Sequence, residues 1–168
     1  MMRRFDQAVI IALGSNMAGA YVSSQVLLEA ALGEFEAAGL HLLRRSGWWR
    51  SAAWPNGAGP DYLNGLAIVE TMLGPYETLR ALLEIERRFG RQRDQPNDPR
   101  TLDLDLIAHG RAVLDTPELI LPHPRAAERL FVMGPLAQVA PQWRHPRSGE
   151  TAQALALAAS IGRDATPL

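Results

Sequence analysis

The order of structural signals predicts an α+β fold of the ferredoxin-like kind. This is a βαββαβ sandwich whose mainly antiparallel sheet carries helices on one side, with extra C-terminal helices. Three observations carry that prediction. An unbroken apolar run near the start reads as a central strand, two stretches of helical period flank a pair of strand-like stretches, and a two-residue period from Thr101 to Ala108 supplies a further strand. At 168 residues the chain suits one domain, 1–168, with a core large enough to fold unaided.

Ala8 to Leu13 (AVIIAL) is continuously apolar, as expected of a strand buried on both faces, and Gly14, Ser15 and Asn16 end it. A helix is expected from about Val22 to Ala38, since Leu28, Ala31, Leu32 and Phe35 recur at helical spacing and Gly39 terminates it. Leu40 to Arg50 reads as a strand with a bulge at Gly47, and Tyr62 to Met72 as the next, placing Tyr62 and Asn64 on one face. Between them lies SAAWPNGAGP, Ser51 to Pro60, a loop carrying one large aromatic, Trp54. An aromatic beside an amide suits a flat heterocycle, although an ordinary strand end explains these two residues more simply.

Pro75 opens a second helix running to about Phe89, with Leu82, Ile85 and Phe89 on one stripe. Glu86 falls on that stripe, so it needs Arg91, a ligand or a solvated edge position. Ala112 to Leu114 reads as a short hairpin arm, Arg125 to Leu130 as a short helix, Met133 to Pro141 as a turn or two of helix stopped by proline, and Thr151 to Ile161 as a closing helix with Leu157, Ala158 and Ile161 inward.

The chemistry is concentrated in Gly90 to Asp105, GRQRDQPNDPRTLDLD. Leu102, Leu104 and Leu106 alternate with Asp103 and Asp105, which puts both carboxylates on one strand face. Paired acids repel unless a cation or donors sit between them, and hard divalent cations such as Mg2+ favour such oxygens. Arg91, Arg93 and Arg100 precede them on a loop-like stretch, and guanidinium forks match phosphate oxygens. Read from the residues alone, a solvated ion-pair network and a metal-phosphate site both remain open. So do a structural and a phosphate-binding role for His123, held between Pro122 and Pro124.

Composition narrows the field. A net charge of -1 argues against nucleic acid or an anionic membrane as main partner, and the absence of cysteine removes disulfide and thiolate chemistry. The apolar run at the start is too short for a signal peptide or a membrane span, so a cytoplasmic protein is expected. No match to the RNP-type aromatic motif of RNA-binding sheets occurs. D-x-D also occurs in nucleotide-sugar transferases and nucleases, so the pair speaks for metal more than for one reaction.

Taken together, ALGSN, PDYLN, GRQR followed by PRTLDLD, LPHP and RLF resemble, in order, the 6-hydroxymethyl-7,8-dihydropterin pyrophosphokinases, over roughly Ile10 to Trp143. The resemblance implies pyrophosphate transfer from MgATP to the hydroxymethyl group of a reduced pterin in folate biosynthesis, releasing AMP, by a monomer. It assigns two Mg2+ ions to Asp103 and Asp105, charge stabilisation to Arg91 and Arg100, and ATP contacts to Arg93, Leu106, His123 and Arg129. The pterin would lie between Tyr62 and Phe131, its edge read by Asn64 and by the backbone of Ser51, Ala52 and Trp54. The Ser51 to Pro60 and Gly90 to Pro99 loops would close over the substrates. Four positions depart from the pattern: Asn97 and Asp98 replace a tryptophan and glycine before Pro99, Asp94 replaces a basic residue, and Pro124 replaces an aromatic after the histidine. A relative that binds pterin without turnover is the alternative these changes raise.

Overall fold

The computed structural model describes residues 5–52, 59–90 and 101–168. Its elements follow the expected order: β1 (Val9–Ser15), α1 (Ser24–Gly33), β2 (His41–Arg45), β3 (Trp49–Ser51), β4 (Tyr62–Glu70), α2 (Pro75–Arg88) and β5 (Asp103–His109). A small hairpin, β6 (Leu114–Asp115) and β7 (Ile120–Leu121), then leads to α3 (Leu130–Val139), α4 (Ala152–Ala158) and β8 (Thr166–Pro167).

The sheet runs β5-β1-β4-β3-β8, with β2 on the far half of β4, and every pairing is antiparallel. β2 and β3 are the single strand expected over Leu40 to Arg50, broken in the middle. Ser46 causes the break: its N–H donates to the Leu66 carbonyl at 2.9 Å while its hydroxyl accepts the Leu66 N–H at 2.9 Å, so a side chain replaces one rung of the ladder.

One face of the sheet packs α1 and α2 against Ile11, Leu13, Leu104 and Leu106, and the other packs α3 and α4 against Ile10, Ala12, Leu66 and Ile68. The extra helices therefore cover the face opposite the first two. The two-residue period of β5 decides what each face receives: Leu104 and Leu106 enter the first core, and Asp103 and Asp105 point to the α3 side.

Three helices differ from expectation. α1 is shorter, starting where the Ser23 hydroxyl accepts the Val26 N–H at 3.2 Å and followed by a separate 3-10 turn at Glu36–Ala38. α3 is one ten-residue helix with Pro135 inside it, longer than the turn or two expected over Met133 to Pro141 and separate from the 3-10 turn at Ala126–Glu128 that stands where a short helix was expected over Arg125 to Leu130. Burial overrides the breaker, because Val132 to Leu136 are all buried and Gly134 lets the Trp49 ring lie where a Cβ would sit 2.7 Å from it. α4 stops at Ala158 and buries Ala152 and Leu155, leaving Leu157 78% exposed. Ile161 is outside the helix because its backbone pairs with Arg129.

Candidate active site

A cavity of about 280 Å³ opens where the α3 layer stops short of the sheet's end. Its floor is strand: Ala12 to Gly14 of β1, Asn64 of β4, and Asp103 and Asp105 of β5, which lie opposite Gly14 and Ala12 in the ladder. Tyr62 and Ser51 stand beside one another across the β3–β4 pair. Phe131 and Val132 of the first α3 turn, with Arg125, Arg129 and Ile161, form the opposite wall.

The structure brings together eight of the residues singled out from sequence: Ser51, Ala52, Tyr62, Asn64, Asp103, Asp105, Arg129 and Phe131 all line this cavity. Asn64 is nearly buried, and its Nδ2 donates to the Ser51 hydroxyl at 2.9 Å. That bond sets which way the amide faces, and places Oδ1 3.5 Å from the position a Cβ on Gly14 would take, on the cavity floor.

His123 is half-buried and lies within the influence of the Arg129 and Asp103 charges. Its Nδ1 accepts the Arg125 N–H at 3.2 Å, which leaves Nε2 to carry the ring proton in the neutral form. Burial, reinforced by the nearby Arg129 charge and only partly opposed by Asp103, lowers its pKa to about 4, so the ring is neutral at physiological pH. Arg129 stacks its guanidinium over the Phe131 ring, 5.7 Å from the centroid, joining the cationic and aromatic parts of the wall.

Leu106 is not on the cavity: its side chain is buried in the leucine core on the other face of the sheet, as its alternation with Asp105 requires. Glu86 is not a solvated edge residue. It is 2% exposed, and its carboxylate accepts the Leu104 N–H at 2.7 Å, covering the free edge of β5 between the two aspartates. Trp54, Arg91, Arg93, Asp94, Asn97, Asp98 and Arg100 lie outside the described residues. Sequence reasoning missed Arg125 and Ile161. Arg125 was legible as a cation two residues after His123, whereas Ile161 carried only a helical-period signal.

Among the described residues no third His, Cys, Asp or Glu joins Asp103 and Asp105 as a metal-binding group. Two strand carboxylates facing open volume fit Mg2+, which keeps several waters and takes phosphate oxygens as further ligands. They do not fit a closed four-ligand zinc site.

Comparison with known proteins agrees with this geometry. The family model described as 7,8-dihydro-6-hydroxymethylpterin-pyrophosphokinase (HPPK) matches residues 10–141. A 2-amino-4-hydroxy-6-hydroxymethyldihydropteridine pyrophosphokinase of Synechocystis sp. is 43% identical over 143 residues, covering 84% of this chain and 71% of that protein. The Pseudomonas aeruginosa protein of the same name is 37% identical over 162 residues, covering 96% and 98%. Among solved structures, wild-type Plasmodium falciparum HPPK-DHPS with pteroate superposes with a TM-score of 0.67 at 13% identity, over 89% of this chain and 42% of that one. A triple mutant of the same protein gives 0.71 at 12% identity, over 95% and 47%. The chain thus spans less than half the length of those structures, and the likeness to them shows the ferredoxin-like fold. With a match that runs from β1 through α3 and takes in the strands beneath the cavity and its lining apart from Ile161, the chain belongs to the 7,8-dihydro-6-hydroxymethylpterin-pyrophosphokinase family.

Proposed function

We propose that this cavity is where the chain carries out its family's reaction, transfer of pyrophosphate from ATP to the hydroxymethyl group of 6-hydroxymethyl-7,8-dihydropterin, with release of AMP, in folate biosynthesis. The observation that carries the reading is the juxtaposition, in one cavity, of two strand carboxylates with the aromatic rings of Tyr62 and Phe131 and the amide of Asn64. Tyr62 and Phe131 are the faces between which a pterin stacks, and Asn64, oriented by Ser51, reads its edge with the backbone of Ser51, Ala52 and Trp54. Asp103 and Asp105 are the residues that hold two Mg2+ ions, which when bound neutralise the phosphate charge.

The remaining demand is alignment, because phosphoryl-type transfer needs little covalent help and depends on positioning and charge. Arg129 puts a fixed cation at the mouth beside the aromatic wall. Neutral His123 offers an Nε2 donor that needs no proton from solvent. By their place in the motif, Arg91 and Arg100 stabilise charge on the transferred group and Arg93 contacts the nucleotide. Leu106 contributes through its backbone, since its side chain serves the core. All of these sit on one chain read as one domain, and a monomer is the proposed working unit. No helix of the described residues is long and apolar enough to cross a membrane, and the proposed place of work is the cytoplasm.

The test is direct. Protein, ATP, Mg2+ and the reduced pterin alcohol are mixed and nucleotide products separated. AMP formed in step with pterin pyrophosphate is expected. ADP as product would indicate single phosphoryl transfer, and pterin binding without AMP would indicate a relative without turnover; either result refutes the proposal.

A further inference from the structure

We infer that the segment after α4, Ser160 to Leu168, is a positioning element for the pterin subsite, acting through Gly162 on the aromatic wall and through Asp164 on the end of β3. The inference rests on the reading above, in which Phe131 and the Ser51–Ala52 strand end bound the pterin. The segment lies beyond residues 10–141 that match the family model, so nothing in that match assigns it a role.

Backbone bonds stitch the segment to the chain that leads into Phe131. Ser160 and Ile161 donate N–H groups to the Glu128 carbonyl at 3.1 and 2.9 Å, and Leu130 donates to the Ile161 carbonyl at 2.8 Å. This places Ile161 on the cavity and Gly162 against the Phe131 ring. Gly162 has φ +71°, and a Cβ there would sit 2.4 Å from Cδ1 of Phe131. Only glycine combines that left-handed backbone with so close an approach, so the Gly162 backbone limits where the Phe131 ring can lie.

Two residues further on, Asp164 turns to the other wall. Its Oδ2 accepts the Ala52 N–H at 2.6 Å, just past the last residue of β3. β8 then pairs with Trp49 and Arg50, and the Leu168 N–H donates to the Trp48 carbonyl at 3.0 Å. One short segment therefore touches both the stacking ring and the strand end proposed to read the pterin edge. A ligand held between two rings tolerates little error in their spacing, and small misplacement of bound groups costs far more in binding and rate than in fold stability.

The test uses the full chain carrying Gly162→Ala, Asp164→Ala or Asp164→Asn. Calorimetry measures the affinity of 6-hydroxymethylpterin in the presence of a non-hydrolysable ATP analogue and, separately, of the analogue alone. Gly162→Ala is expected to weaken pterin roughly tenfold or more while the analogue's affinity stays within about twofold. Asp164→Ala is expected to weaken pterin about threefold, the effect of losing one exposed charge-assisted bond, and Asp164→Asn to recover most of it because the amide oxygen still accepts the Ala52 N–H. Equal losses for both ligands would make the segment merely structural and overturn the inference. Unchanged or tighter pterin binding in Asp164→Ala would also overturn it, since the carboxylate would then be a competitor for that N–H. The Asp164 pair decides the matter even where Gly162→Ala does not fold. Failure of the parent chain to bind pterin is a different result, and bears on the proposed function.

Discussion

Ser51→Ala removes a single oxygen and isolates the amide of Asn64. The two residues are 5% and 6% exposed, and the bond between them is 2.9 Å long. A donor stripped of its acceptor inside the fold costs about 1–3 kcal/mol, more than a typical hydrogen bond contributes net, with the lower end applying where cavity water takes the missing partner's place. In a chain of this size each kcal/mol moves the thermal midpoint by roughly 2–4 °C, so ligand-free Ser51→Ala should melt about 2–12 °C lower. An untethered amide also samples orientations that present Nδ2 in place of Oδ1 to the cavity, and pterin affinity should fall by about five- to tenfold, near 1 kcal/mol. Thermal melts without ligand, paired with calorimetric pterin titrations in the presence of an ATP analogue, measure both. A Ser51→Ala chain with parental melting and parental pterin affinity would refute the argument that this bond orients the reader.

Phe131→Ala removes one of the two proposed stacking faces and should weaken pterin by about 1–3 kcal/mol with little change in nucleotide affinity, read by the same calorimetry. Asp105→Asn keeps the shape but not the charge; AMP formation should drop by roughly a hundredfold or more, and Mn2+ binding in the presence of the ATP analogue, followed by electron paramagnetic resonance, should weaken in parallel. His123 titrates at about 4, below the ordinary value near 6.5, so the unfolded chain takes up its proton first as pH falls. Its contribution to stability is complete above about pH 6.5 and is lost between there and pH 4; urea melts across that window should fall more steeply for the parent than for His123→Asn.

How much of this was legible in the residue order depends on the range of the interactions involved. Alternation in TLDLDL decides locally which side chains share a face, so the pairing of Asp103 with Asp105 and the burial of Leu104 and Leu106 could be read before any fold was known. The same holds for Tyr62 and Asn64 on β4. The succession of periods was enough for the βαββαβ order, because each element's pattern reflects its own backbone geometry.

Tertiary structure decided what local pattern leaves undetermined. Pro135 argues for a helix end, yet five consecutive buried residues hold α3 together through it. Leu157 and Ile161 had the spacing of an inward face, but α4 ends before Ile161, whose backbone is claimed by Glu128 and Leu130 and which lines the cavity. Glu86 carries no local sign of its partner, because the Leu104 N–H it satisfies belongs to a strand edge 18 residues away in the chain. The contacts of Asp164 with Ala52 and Gly162 with Phe131 span 112 and 31 residues, respectively, and no periodicity encodes a meeting at that separation. Local chemistry thus determined which groups this protein brings to its site, while long-range packing determined which backbone holds each of them in place.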